Sequence, residues 1–137
     1  MNKLITSITE NPKIAIPTKK GYIFITPGEI IRCEANKKHS VCILKNHTRE
    51  DLSLSLKQTE AMLKEFGFLR VHHAHLININ HIEKYEKEKY SSSGGMITMS
   101  SGEIVSLSKR KKQAFQKLFK SKFIPESLES ILATIDN

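Results

Sequence analysis

The sequence predicts a mainly β domain of short antiparallel sheets, with one or two small helices and a C-terminal helical extension. Three observations predict it. Runs of β-branched and aromatic residues recur with turn residues about every 8–12 positions. One clean helix start stands at Ser55, and apolar residues at helical spacing fill the end of the chain. In a chain of 137 residues this reads as a short N-terminal extension (1–11), one compact domain (12–120) and an amphipathic helical tail (121–137).

Taken in order, Ile14-Ala-Ile16 and Tyr22–Thr26 form a hairpin around Thr18-Lys-Lys-Gly21. Pro27-Gly-Glu-Ile30 makes a 3₁₀ turn that feeds a strand, Ile31–Ala35. Asn36-Lys-Lys-His39 is a polar tip before the strand Ser40–Lys45, and Asn46-His-Thr48 turns into the strand Arg49–Leu54. Ser55 and Gln58 match a capping box, in which hydroxyl and amide each satisfy the other residue's free backbone N–H. Leu56, Met62, Leu63 and Phe66 continue at helical spacing until Gly67 supplies a left-handed stop. A single strand is expected through the histidine-rich segment, then a charged stretch, Glu83–Lys89, and a flexible turn, Ser91–Gly95. Met96–Met99 and Glu103–Leu107 pair around Ser100-Ser-Gly102. A helix follows with Ala114, Phe115, Leu118 and Phe119 as its apolar stripe. Past Pro125, the residues Leu128, Ile131, Leu132 and Ile135 predict an amphipathic helix over Glu126–Ile135, expected to dock on its own domain in preference to a partner.

Charge narrows the function. The net +8 is local, because Ser108–Lys122 holds seven cations and no acid while the remainder has 15 basic against 14 acidic residues. Such a field attracts phosphate backbones or anionic lipid. Cys33 and Cys42 form no CxxC pair and read as buried thiols on strands. The start lacks a signal-peptide pattern, and no run approaches the roughly 20 apolar residues of a membrane span. A cytoplasmic protein with no membrane partner and no small-molecule substrate is expected.

Four of the six histidines fall within Arg70–Ile82. Imidazole can bind a metal, move a proton or bond a phosphate or base. If the segment is one strand, His73 and His75 share a face and could share an ion, but no third ligand stands at metal spacing. No nucleophile or Gly-rich phosphate loop accompanies the histidines, so an enzyme is not expected. Nucleic-acid binding draws on separate features: Asn36, Lys37, Lys38 and His39 on one tip, His72, His73 and Asn78 on the histidine segment, and Lys109, Arg110 and Lys111 opening a helix. Cations neutralise phosphates, while Asn, Arg and His also read base edges. Single-stranded RNA is the rival ligand, with a small histidine metal protein behind it. RNA readers, however, display aromatics on a sheet.

Three blocks then carry a resemblance: Pro27-Gly-Glu-Ile-Ile-Arg-Cys-Glu-Ala35 with the tip after it; Leu54-Ser-Leu-Lys-Gln-Thr-Glu-Ala-Met-Leu63 followed by Phe68-Leu-Arg-Val-His-His-Ala-His-Leu-Ile-Asn-Ile-Asn-His-Ile82; and Ser101-Gly-Glu-Ile-Val-Ser-Leu-Ser-Lys-Arg110. Over about residues 12–120 the chain resembles the LytTR (LytR/AlgR-type) DNA-binding domain of bacterial transcriptional regulators. The resemblance implies loops set into successive major grooves, binding as a homodimer on paired direct repeats, DNA bending and no cofactor or metal. It places the contacts at His39, His73 and Lys109. It also implies a stand-alone domain, since the residues ahead of it cannot hold a receiver domain. The chain departs from the family pattern where His73 replaces an arginine, Ala74 a serine, and Lys109 the arginine of a Ser-Arg pair. Neither His73 nor Lys109 offers arginine's forked contact to guanine, which leaves Arg110 to supply it. His72 reads as an orienting residue.

Overall fold

A computed structural model of the chain describes residues 12–88 and 92–135, so the extension 1–11 lies outside the described residues. The hairpin of β1 (Ile14–Thr18) and β2 (Gly21–Ile25) forms its own two-stranded sheet. After a 3₁₀ turn at Pro27–Glu29 come β3 (Ile30–Asn36), β4 (His39–Leu44) and β5 (Arg49–Leu52). Helix α1 (Leu56–Leu63) starts at the expected capping box: Gln58 N–H donates to Ser55 Oγ at 3.1 Å and Ser55 N–H to Gln58 Oε1 at 2.9 Å. A 3₁₀ turn extends it to Gly67, which takes the left-handed φ of 85°.

The histidine segment is two strands, not one. β6 (Phe68–His72) and β7 (His75–Asn78) form a hairpin with His73 and Ala74 as its turn. The central sheet runs β5-β4-β3-β7-β6, antiparallel throughout. Part of the charged stretch, to which the sequence assigned no element, is a strand, β8 (Ile82–Glu86), which joins β9 (Gly95–Met99) and β10 (Ile104–Leu107) in a three-stranded sheet. A 3₁₀ turn at Lys109–Lys111 opens α2 (Lys112–Phe123), and α3 (Glu126–Ile135) closes the described chain. Because α2 runs through to Phe123, the boundary expected at residue 120 falls inside a helix.

The central sheet is covered on both faces. One core gathers Ile16 and Ile25 of the hairpin, Leu56 and Leu63 of α1, and Cys33, Cys42 and Leu76 of the sheet. The other gathers Ile31, Val71 and Ile77 with Ile97, Met99, Val105, Leu107 and Phe115. A bulge makes Ile31 the extra residue of β3 and breaks the alternation, so Ile31 enters the second core although Ile30 and Cys33 both enter the first. A second bulge makes Val71 the extra residue of β6. The β8–β9 connection is packed rather than loose where it is described. A Cβ on Gly94 would stand 2.7 Å from Ser108 O, and Gly95 holds a φ of 127° beside Tyr85. Within α2, Phe115 is buried, Leu118 and Phe119 are half-buried, and Ala114 is exposed, so Ala114 lies off the stripe.

The tail departs most from expectation. The helix has the expected bounds, but Leu128, Ile131 and Ile135 are 39%, 54% and 69% exposed. Leu132 is half-buried, and no residue of the helix is buried.

Candidate nucleic-acid interface

The three tips meet at one end of the central sheet. Antiparallel pairing of β3 with β7, where Glu34 faces His75, sets the β3–β4 turn beside the β6–β7 turn. Ala35 N–H donates to Ala74 O at 2.9 Å and joins the two. The third tip is attached through the β6 bulge. A bulged residue loses its ladder partner, and the Val71 carbonyl instead accepts Ser108 N–H at 2.8 Å. The order across the end is thus 36–39, 72–74, 108–111. His73 shares a depression of about 310 Å³ with Arg70, Ser108, Arg110 and Lys111.

Asn36, Lys37, Lys38, His39, His73, Lys109 and Arg110 are exposed; His72 and Lys111 are half-buried. Lys37 holds the left-handed φ of 58° that a two-residue hairpin turn requires. His72 orients the turn, as expected, since its Nδ1 accepts Ala74 N–H at 3.1 Å and the remaining proton must sit on Nε2.

Asn78 does not belong to this group. It is 1% exposed, and its amide donates to Ile30 O at 3.0 Å while Oδ1 accepts Asn80 N–H at 3.0 Å. A side chain so engaged reaches no DNA; it caps the 3₁₀ turn at Ile79–His81. Asn78→Leu should therefore cost about 1–3 kcal/mol, because it strands buried backbone groups, and leave the preferred DNA sequence unchanged. Urea unfolding and a binding-site selection check the two halves. An altered sequence preference would return Asn78 to the interface.

Two groups behind the tips escaped sequence reading. Arg70 donates from Nε to His72 O at 3.1 Å, from Nη2 to His73 O, and from Nη1 to Glu60 on α1 at 3.1 Å. It clamps the His73–Ala74 turn to the helix. Arg32, 6% exposed, makes a fork onto Glu103 at 3.2 and 2.7 Å and reaches Glu34 at 3.2 Å, tying β3 to the β9–β10 turn. Strand alternation puts Arg32 and Glu34 on one face, but the Glu103 fork and the Arg70 clamp leave no spacing signal, because those partners lie farther along the chain or on backbone. His81 bridges two further turns, its Nε2 donating to Gly28 O at 2.8 Å and its Nδ1 pairing with Ser100 Oγ at 2.9 Å.

The shared-face premise of a metal site fails, since His73 lies in the turn and His75 on β7. Among the described residues no group of three or more His, Cys, Asp or Glu side chains is arranged to hold a metal ion. His75 Nδ1 is buried without a partner, and burial, then Arg32 and His72, push its pKa below the usual histidine value. Cys33 and Cys42 are both buried, and burial, with the neighbouring Cys42, raises the Cys33 thiol well above its ordinary range. Among the described residues no helix is long and apolar enough to cross a membrane.

The sequence profile of the LytTr DNA-binding domain family matches residues 20–120. Among solved structures, the chain is similar to one described as the LytTr DNA-binding domain of a putative methyl-accepting/DNA response regulator from Bacillus cereus. That likeness has a TM-score of 0.66 at 24% identity, over 79% of this chain and 96% of that one, and bears on the fold. No curated protein matches the chain. Profile, mainly β architecture and clustered tips agree: the chain belongs to the LytTr DNA-binding domain family.

Proposed function

We propose that this chain regulates bacterial transcription by binding duplex DNA sequence-specifically, with the tips at 36–39, 72–73 and 109–111 entering major grooves. Two protomers sit on paired direct repeats and bend the DNA, and no metal or cofactor takes part. The observation that carries the reading is the row of exposed amide, imidazole and cationic side chains along one sheet end, tethered by the Ala35–Ala74 and Ser108–Val71 hydrogen bonds. Phosphate contacts from the lysines supply affinity, while His39, His73 and Arg110 face base edges. The RNA reading is weaker. Both faces of the central sheet are packed, and the exposed aromatics among the described residues, Tyr22, Phe24 and Phe123, lie on the hairpin and at the end of α2.

Selection from a random duplex pool tests the proposal. Enrichment of repeated half-sites a whole number of helical turns apart is expected, with centres about 10.5 bp or a multiple apart. No enrichment, or single-stranded RNA outcompeting every duplex, would overturn it. On the selected site, Arg110→Ala should cost about 1–3 kcal/mol and relax preference at one position. Lys109→Ala should cost less if it touches phosphate alone. Uniform losses over all sequences for both variants would remove base readout from the third tip.

A further inference from the structure

We propose that Cys33 and Cys42 form a redox latch: a low-molecular-weight disulfide of the glutathione class converts the two thiols into one intramolecular disulfide, which locks the β3–β4 hairpin behind the first tip. The two residues are direct partners across β3 and β4, and their Sγ atoms stand 3.0 Å apart. A disulfide bond of about 2.05 Å is an approach of about 1 Å away.

The backbone suits the bond. Ala35 N–H points to β7, where it meets Ala74 O. Backbone groups alternate in direction along a strand, so Cys33 also turns its own toward β7 and makes no ladder bond to β4. Cys33 and Cys42 are thus a non-hydrogen-bonded pair, whose Cα atoms lie about 4.5 Å apart. That separation falls inside the roughly 4.4–6.8 Å that a disulfide bridges. Cysteine occurs nowhere else in the chain, so neither thiol has a competing partner within it.

Access sets the rate. Both thiols are fully buried, packed with Ile16 and Ile25 of the β1–β2 hairpin and Leu56 and Leu63 of α1. A thiol buried in apolar surroundings is inert, so reaction passes through local opening of that cover. The hairpin is the part suited to open. It is a separate two-stranded sheet, a unit with little stability of its own, tied to the chain just past β5 by Ser53 N–H donating to Pro17 O at 3.0 Å. In the open state one cysteine thiolate attacks the reagent's disulfide, expels one reagent thiol and leaves a mixed disulfide. The second cysteine then attacks the first cysteine's sulfur and expels the other reagent thiol. The reagent's S–S bond breaks and the protein's forms, two electrons pass to the reagent, and the two cysteine protons end on the released thiols.

The cysteines stand three residues before Asn36 and three after His39, so the bond closes a ten-residue loop that carries the whole first tip. Strands already paired move little to form it, which leaves Asn36–His39 in place. The cross-link meanwhile restricts the unfolded chain. A more heat-resistant chain with an unaltered first tip is the consequence. The effect on DNA binding rests on the function proposed above, whereas the bond itself does not.

The test incubates the full reduced chain with oxidised glutathione, with and without urea below the unfolding midpoint. A mass lower by about 2 Da and a Cys33–Cys42 cross-linked peptide are expected, formed faster in urea. Once urea and reagent are removed, the oxidised chain should melt about 5–10 °C higher than the reduced one. Cys42→Ala, treated alike, should show no gain. If that variant does not fold, reduction of the oxidised wild type by dithiothreitol, which should abolish the gain, takes its place. No internal bond even in urea, a mixed disulfide or covalent dimer in its stead, or an oxidised chain that melts no higher would each overturn the proposal. On the selected duplex the oxidised chain should bind within about twofold of the reduced one, and a larger loss would overturn the unaltered tip. A chain that forms the bond but binds no duplex in either state would refute the function proposed above and leave the disulfide standing.

Discussion

Replacing Phe115 with alanine should remove about 3–5 kcal/mol of folding stability and unseat the third tip before the other two. Phe115 is the one buried residue of α2, and its ring meets Tyr85 edge-on at 5.0 Å and Phe119 at 5.1 Å. Truncation leaves a cavity that Leu118 and Phe119, already half-buried, cannot fill without lifting the helix. The basic turn Lys109–Lys111 runs straight into α2, so its placement depends on that docking. A domain stable by about 10 kcal/mol, the middle of the usual range, would stay largely folded at room temperature, and urea unfolding would report the loss directly. Phe123→Ala, at a ring 49% exposed, should change stability by no more than about 0.5–1 kcal/mol. Equal costs for the two would show that docking does not concentrate at Phe115.

What the sequence disclosed follows from where the controlling interactions lie. Local chemistry was readable: the Ser55–Gln58 box, the Gly67 stop and the Asn36–His39 tip all formed where their residue types demand. The β6–β7 turn was hidden because His73 and Ala74 carry no turn chemistry. The Arg70 clamp, the His72–Ala74 bond and the Ala35–Ala74 bond accompany the bend instead. β8 was masked by Glu83, Lys84 and Glu86, with a bulge disturbing the alternation that Ile82 and Tyr85 would otherwise reveal. The burial of Asn78 could have been read, since it shares parity with Leu76, which faces the core. For α3, periodicity marked the apolar stripe but could not say whether anything covers it. The candidate site was legible as three separate tips. Their adjacency depends on a long-range strand pairing and a bulge, neither of which leaves a local trace.

Raising salt from about 50 to 200 mM should weaken specific DNA binding by about 250- to 1,000-fold, a slope of log K on log salt near −4 to −5. The figure follows from which cations are unspent. Arg32, Arg49 and Arg70 are paired with Glu103, Glu34 and Glu60, so their charge is already answered within the protein. Lys37, Lys38, Lys109, Arg110 and Lys111 enter none of the ion pairs formed by the described residues, and all stand on the first and third tips. Five such charges, each displacing about 0.9 counterion from a phosphate, give that slope. Removing Lys37 and Lys38 together should flatten it by nearly 2, whereas Arg49→Ala should leave it unchanged. Titrations of the selected duplex at four or more salt concentrations would measure both. Salt-independent binding would refute the electrostatic footprint altogether. A slope of about −7 would mean that Lys112, Lys117 and Lys120 of α2 also lie against the backbone, so the DNA would follow the helix beyond the three tips.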